Sequence, residues 1–171
     1  ENHGDGIRRL CKAIAELAGQ FPTVQFVYPV HLNPNIQQPV KEILAGFGNV
    51  HLIAPAEYPE FVWLMDRATL ILSDSGGVQE EAPSLGKPVL VTRDSTERPE
   101  ALEVGATRLV GTDTQRVVSE VAELLVNKSA YAAMQVTKNP YGDGRAADRI
   151  LQLASERFGV VELQHAAANV S

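Results

Sequence analysis

The sequence contains a single cysteine, no long apolar run and fewer basic than acidic residues. One cysteine in 171 residues cannot form an internal disulfide, which is typical of a reducing compartment. Since no apolar run approaches the roughly 20 residues that cross a bilayer, we expect no membrane segment. The 15 basic and 21 acidic side chains give a net charge of -6, which argues against nucleic acid as a partner, because a phosphate backbone requires a basic surface. We therefore predict a soluble, cytoplasmic protein.

The pattern of apolar residues is that of an α/β protein with a sizeable core. Short β-rich segments recur near residues 24, 50, 70, 89 and 108, and segments with helical period lie between them. This alternation predicts a doubly wound, mostly parallel sheet with helices on both faces, a Rossmann-like domain. We expect the domain to span residues 1–158 and to be followed by a tail at 159–171, in which no element is predicted.

The first predicted helix, Gly6 to Leu17, carries the cysteine on its apolar face. Cys11 shares that face with Leu10 and Ile14, so we expect a buried thiol rather than a reactive one. The chain begins with Glu1 instead of Met and passes almost directly into this helix, so we expect a piece of a longer protein.

The clearest candidate site is the turn Ser75-Gly76-Gly77, which follows a short apolar strand and opens a helix. Two successive glycines let a ligand approach the main chain, and the first N–H groups of the helix favour an anion. Glu81, about one turn into the helix, could accept hydrogen bonds from both hydroxyls of a ribose. Phosphate donors and a ribose acceptor on one helix indicate a nucleotide.

A purely structural interpretation of the same residues remains open. A Gly-Gly turn also serves tight packing in any parallel α/β sheet, and a glutamate in the first turns of a helix can simply interact with the helix dipole. The turn matches neither the three-glycine dinucleotide fingerprint nor a P-loop. Spacing alone therefore does not separate a phosphate site from a packing turn.

Two further polar side chains follow predicted strands, so we expect them on the same rim as Ser75, beyond the C-terminal ends of the strands. The guanidinium of Arg98 suits a phosphate; its alternative is a surface ion pair with Glu97 or Glu100. His31 lies in an irregular loop, where a hydrogen-bonded surface histidine is the alternative to a functional role.

The run from Asp74 to Glu100 resembles the C-terminal domain of the non-hydrolysing UDP-N-acetylglucosamine 2-epimerases. The resemblance extends over most of the chain up to about residue 158, through the stretches Pro29 to Pro34, Tyr58 to Phe61, Arg108 to Asp113 and Asn139 to Gly144. It implies one half of a two-domain, glycosyltransferase-B-like bacterial enzyme. Such an enzyme interconverts UDP-GlcNAc and UDP-ManNAc for surface polysaccharides, and we expect a homodimer in the full-length form.

The resemblance also implies roles for individual residues. It assigns six of them to the UDP moiety: Phe61 at the uracil, Glu81 at the ribose, and Ser75, Gly76, Gly77 and Arg98 at the diphosphate. For Phe61, the alternative is an ordinary core aromatic. The resemblance relates His31 to a second, regulatory UDP-GlcNAc site.

The implied reaction eliminates UDP to give a glycal and adds it back after the proton at C2 is placed on the other face. In this family the catalytic acids and bases belong to the N-terminal domain, so we expect no catalytic residue here and no turnover by this chain alone. His3 is out of register with the family's histidine, and no metal or added cofactor is required. The alternatives are the donor-binding domain of a glycosyltransferase or of a hydrolysing epimerase, and a non-catalytic nucleotide-binding module.

Overall fold

The structure is a computed structural model that describes residues 4–136 and 139–158. The chain divides into two compact units, Glu1–Pro140 and Tyr141–Ser171. The expected domain therefore extends over both units, and the expected tail at 159–171 lies outside the described residues, as does His3.

Helices and strands alternate along the first unit as predicted. Their bounds are α1 Asp5–Gln20, β1 Phe26–Pro29, α2 Pro34–Leu44, β2 Val50–Ile53, α3 Tyr58–Arg67, β3 Ile71–Ser73, α4 Gly76–Glu81, β4 Val89–Val91, α5 Pro99–Glu103, β5 Thr107–Leu109, α6 Thr114–Val126 and α7 Lys128–Met134. The expected α/β class with parallel strands is confirmed.

The strands hydrogen-bond in two groups instead of one continuous ladder. β1 pairs with β2 in parallel, with Phe26 opposite Val50. β4 lies between β3 and β5, also in parallel, with Ile71 opposite Val89. Both groups contribute side chains to the core around α1 and α6, because Phe26 of β1 and Leu72 of β3 pack against the same cluster. Alternation along the sequence identifies strands and their direction, but it does not determine which strands pair.

Helices cover both faces of β4, as a doubly wound sheet requires. The side chains of Val89, Leu90 and Val91 are all 0% exposed. Because successive residues of a strand point to opposite faces, Leu90 packs with residues of α1 and α6, while its two neighbours pack with Met65 of α3 and with Val78 of α4. This buried strand pairs with β3, the strand that precedes Ser75.

A separate apolar cluster joins the β1–β2 pair to α1 and α2. It contains Cys11, Val40 and Leu44, each fully buried. Burial raises the pKa of the Cys11 thiol to about 11. The prediction that Cys11 is buried is therefore confirmed.

Local sequence signals set the ends of the elements near the rim. Asn33 caps α2 by accepting a hydrogen bond from the Asn35 N–H at 3.0 Å, and Pro34 follows at the first helical position. After α4 the chain tightens into a short 3₁₀ segment, Ala82–Leu85, that contains a proline; Gly86 ends it in the left-handed region at φ 65°. α4 is consequently only six residues long, and the chain passes through the 3₁₀ segment into β4.

The second unit contributes one helix in its described part, α8 at Ala146–Phe158. A two-point ion pair joins Asp143 to Arg149, with nitrogen–oxygen distances of 2.7 and 2.9 Å, and it lowers the pKa of Asp143 to about 2. None of the helices in the described residues is long and apolar enough to cross a membrane.

Candidate functional site

The turn between β3 and α4 has the predicted strand–turn–helix form. Ser75 is the N-cap of α4 in an extended conformation, and its N–H donates to the Ser73 hydroxyl at 3.1 Å. Its own hydroxyl makes no capping bond to the helix. The first N–H groups of α4 therefore lack a side-chain cap from Ser75, which leaves them available to an acceptor outside the helix.

Arg98 lies directly against this turn. A Cβ added at Gly76 would be 3.2 Å from Cζ of Arg98 and 3.3 Å from its Nη2. Glycine at this position thus lets the guanidinium approach the backbone at the start of α4. The Gly77 position is less restricted, because a Cβ there would meet the Ser75 hydroxyl and the Glu81 carboxylate only at ordinary contact distances of 3.8 and 3.9 Å.

Two carboxylates bind the Arg98 guanidinium. Its Nε donates to Oε1 of Glu80 at 2.6 Å, and its Nη1 donates to Oε2 of Glu97 at 3.2 Å. Glu97 is one of the two partners that sequence reasoning proposed, whereas Glu80 was missed. Its position next to Glu81 in the acidic pair of α4 was the available signal. The Glu80 carbonyl also accepts from the Asn139 amide at 3.1 Å, which ties Asn139 to α4.

A buried polar relay fixes the loop of Arg98 to the turn. Gln79 is fully buried, and its amide nitrogen donates to the Ser75 carbonyl at 3.3 Å. Its amide oxygen accepts from the Thr96 hydroxyl at 2.6 Å, and that hydroxyl in turn accepts from the Arg98 N–H at 3.1 Å. Sequence reasoning missed this relay because β4 separates its members along the chain.

Glu81 is the last residue of α4, and its carboxylate reaches back toward Gly77 near the start of the helix. Its Oε2 accepts a hydrogen bond from the Tyr58 hydroxyl at 3.0 Å, and its Oε1 is the oxygen that faces Gly77. The bond to Glu81 raises the pKa of Tyr58. Ser75, Gly76, Gly77, Glu81 and Arg98 therefore lie around one turn, with Tyr58 as an unexpected neighbour.

The two remaining candidates have different surroundings. Phe61 is half-buried on α3 and packs against the cluster of Met65 and Val78, which fits the core-aromatic alternative. His31 is exposed beyond β1, where its Nδ1 accepts from the Asn33 N–H at 3.1 Å. Its geometry is that of a hydrogen-bonded surface histidine, and its regulatory role stays a prediction.

Tyr28 is a half-buried ionisable side chain near the C-terminal end of β1. Burial raises the pKa of Tyr28, in β1, to about 12, and the charges of Cys11 and of Asp74, which follows β3, add to the increase. Within the described residues, no group of three or more His, Cys, Asp or Glu side chains could hold a metal ion. The turn offers backbone hydrogen-bond donors, the Arg98 guanidinium and the Glu81 carboxylate, which suit an anionic ligand with hydroxyl groups.

Nearly the whole chain is similar to proteins of one known family. Residues 1–155 match the sequence family described as UDP-N-acetylglucosamine 2-epimerase. The Escherichia coli K12 protein named UDP-N-acetylglucosamine 2-epimerase is 59% identical over 152 residues, which are 89% of this chain and 40% of the E. coli protein. The chain thus spans about two fifths of the length of this curated relative.

Solved structures share the fold at similar coverage. A Neisseria meningitidis UDP-GlcNAc 2-epimerase bound to UDP-GlcNAc superimposes with a TM-score of 0.87 at 50% identity, over 91% of this chain and 42% of that one. S. aureus MnaA in complex with UDP gives a TM-score of 0.89 at 37% identity, over 94% of this chain and 44% of that one.

Proposed function

Because the chain belongs to the UDP-N-acetylglucosamine 2-epimerase family, we propose that it forms the UDP-binding part of such an enzyme. The complete enzyme interconverts UDP-GlcNAc and UDP-ManNAc by eliminating UDP and adding it back after the proton at C2 has changed face. The observation that carries the proposal is the convergence of Arg98 and Glu81 on the Ser75-Gly76-Gly77 turn, in a chain whose solved relatives hold UDP-GlcNAc or UDP.

The diphosphate binds at the turn. The N–H groups of Gly76 and Gly77 and the Ser75 hydroxyl donate to its oxygens, and the Arg98 guanidinium neutralises its charge. Binding exchanges the exposed Glu97 carboxylate for phosphate, whereas Glu80 continues to hold Nε of Arg98. A leaving group that accumulates negative charge is stabilised by such pre-placed donors.

The nucleoside lies along the start of α4 and α3. The Glu81 carboxylate accepts from the ribose hydroxyls, and the half-buried Phe61 contacts the uracil. His31 belongs to a second, regulatory site for UDP-GlcNAc. Loss of a second equivalent of bound UDP-GlcNAc in the His31→Ala enzyme would be the evidence for that role, and retention of it would refute the role.

Catalysis requires the remaining three fifths of the enzyme. Elimination and re-addition at C2 need a positioned acid and base, and this chain contributes binding and charge stabilisation instead. The complete enzyme is a cytoplasmic homodimer that supplies ManNAc for bacterial surface polysaccharides, and this chain alone does not turn over.

Calorimetric titration with UDP tests the site. Arg98→Ala and Glu81→Ala should each weaken UDP binding by at least about tenfold, because each removes a charged partner of the nucleotide. Arg8→Ala and Glu42→Ala are matched controls, since these two side chains form an exposed ion pair at 3.1 Å on α1 and α2. Equal UDP affinity in all four variants would refute the assignment.

A chimaera tests the reaction. In it, this chain replaces the matching part of the E. coli relative, and the products from UDP-GlcNAc are followed by NMR. Formation of UDP-ManNAc supports the proposal. Free ManNAc and UDP would instead identify a hydrolysing enzyme, and unchanged UDP-GlcNAc would favour a non-catalytic module. ManNAc formation by the chain alone would contradict the proposal that the catalytic residues lie in the rest of the enzyme.

A further inference from the structure

An exposed tyrosine approaches the proposed ribose site. Tyr58 is 64% exposed, yet its hydroxyl donates to Oε2 of Glu81, which lies 23 residues away in the chain. A tyrosine hydroxyl at the surface can hydrogen-bond to water, so burial does not force this bond. The hydrogen bond matters mainly for Glu81, because it holds the Glu81 carboxylate near Gly77, at the start of α4.

The backbone of Tyr58 is firmly placed. Tyr58 opens α3, and a capping box between Glu57 and Glu60 closes the helix start, with the Glu57 N–H donating to Oε2 of Glu60 at 3.3 Å. Farther along α3, the side chains of Phe61 and Met65 pack in the apolar cluster under the turn. The side chain of Tyr58 has two torsions on this fixed backbone, so little conformational freedom is lost when its hydroxyl binds Glu81.

The Glu81 carboxylate needs such a partner. Glutamate has three side-chain torsions, and Tyr58 is the hydrogen-bond partner of this carboxylate among the described residues. Tyr58 holds Oε2, while Oε1 faces Gly77 and the turn. One oxygen is thereby anchored, and the other is directed to where the nucleotide enters. A tyrosine hydroxyl is protonated at neutral pH and can therefore donate to the carboxylate. The same hydrogen bond raises the pKa of Tyr58 further.

We propose that Tyr58 is a positioning residue for the ribose site, which holds the Glu81 carboxylate in the orientation that accepts the ribose hydroxyls and so makes the site selective for ribonucleotides over deoxyribonucleotides. This inference rests on the UDP site proposed above and adds to it the source of its sugar selectivity. Tyr58 itself does not touch the ribose; it acts through Glu81.

The test measures selectivity rather than affinity alone. The chain and its Tyr58→Phe and Glu81→Gln variants are titrated calorimetrically with UDP, 2′-deoxy-UDP and 3′-deoxy-UDP. The unmodified chain should prefer UDP over one deoxy analogue or both by about tenfold, the value of a hydrogen bond to a charged group. Tyr58→Phe should reduce that preference to about twofold by weakening UDP binding alone. The matched control is Tyr131→Phe, which removes a hydroxyl that donates to the Thr69 carbonyl at 2.9 Å, and it should retain the full preference.

The outcomes separate this inference from the proposed function. If Glu81→Gln abolishes the preference and Tyr58→Phe does not, the UDP site stands and the positioning role is overturned. If Tyr58→Phe weakens the binding of all three nucleotides by the same factor, the substitution has disturbed the structure of the site in general. That result also overturns the positioning role. If the unmodified chain binds no UDP, or if Glu81→Gln keeps the preference, the ribose assignment itself is wrong and the inference fails with it.

Discussion

The two strand groups of the first unit are built differently, and the difference coincides with the location of the site. In the β3–β4–β5 group, the central strand is completely buried and the candidate UDP residues surround the turn after β3. In the β1–β2 group, Val27 is 47% exposed although it lies within a strand. The comparison shows that the strand next to the candidate turn is buried on both faces, whereas β1 is exposed on one face.

Strand alternation explains the exposure in the β1–β2 group. Phe26 and Val50 point to the face that α1 and α2 cover, through the cluster that contains Cys11. Val27 and Ile53 point to the opposite face and remain exposed. A parallel pair normally has both faces covered, so this group depends on one face and on polar contacts for its stability.

The largest expected effect compares one substitution in both groups. Val89→Ala removes two methyl groups from a fully buried position in β4 and should lower the free energy of unfolding by about 2 to 3 kcal/mol through lost burial and a residual cavity. Val27→Ala makes the same change at a half-exposed position and should cost less than about 0.5 kcal/mol. Denaturant unfolding of both variants measures the difference. Equal losses would show that the two groups are equally well packed.

The second effect concerns the polar contacts of the β1–β2 group. The side-chain nitrogen of Asn49 lies 3.1, 3.2 and 3.0 Å from the carbonyl oxygens of Ala18, Phe21 and Val24, where it links the end of α1 to the loop before β1. Asn49→Ala leaves these carbonyls without that donor and should cost about 2 kcal/mol. Asn35→Ala, at an exposed position of α2, should change stability by less than about 0.5 kcal/mol. An Asn49→Ala protein as stable as the control would contradict the importance of this contact.

These contrasts also show which features the sequence could predict. Local sequence patterns identified the strands, the buried Cys11 and the Gly-Gly turn, because these signals lie within a few neighbouring residues. The contacts of Tyr58 with Glu81 and of Glu80 with Arg98 join residues 23 and 18 positions apart, and no local pattern encodes them. The resemblance to a known family placed Glu81 and Arg98 at one site, but the residues that orient them required the tertiary structure.

The third effect is a pH dependence of stability that originates in the β1–β2 group. Burial raises the pKa of Cys11 to about 11 in the folded chain, above its usual value of 9.0. A raised thiol pKa means that the unfolded chain loses its proton first, so this contribution to stability is complete below pH 9 and decreases as the pH rises toward 11. The slope from one such group is at most about 1.4 kcal/mol per pH unit.

Cys11→Ala should flatten the unfolding free energy between pH 9 and 11, with unfolding by urea as the measurement. Tyr28→Phe is the companion variant: the pKa of Tyr28 is raised to about 12, so its contribution should fade at still higher pH. An alkaline slope that persists unchanged in Cys11→Ala would show that another group causes it.

The smallest expected effect returns to the ligand. Glu97 pairs with Nη1 of Arg98 from an 81% exposed position, so its ion pair contributes little to stability. In the proposed UDP complex it competes with the phosphate for this nitrogen. Glu97→Gln should therefore strengthen UDP binding by about twofold to threefold at low salt, with the gain vanishing near 1 M salt because exposed charges are screened. Glu42→Gln removes a comparable carboxylate from the Arg8 pair on the β1–β2 side and should leave the UDP affinity unchanged. If both variants strengthen UDP binding equally, the overall charge of the chain is responsible, and the phosphate does not bind preferentially at Arg98. If Glu97→Gln alone weakens binding, Glu97 supports the bound orientation of Arg98 instead of competing for it.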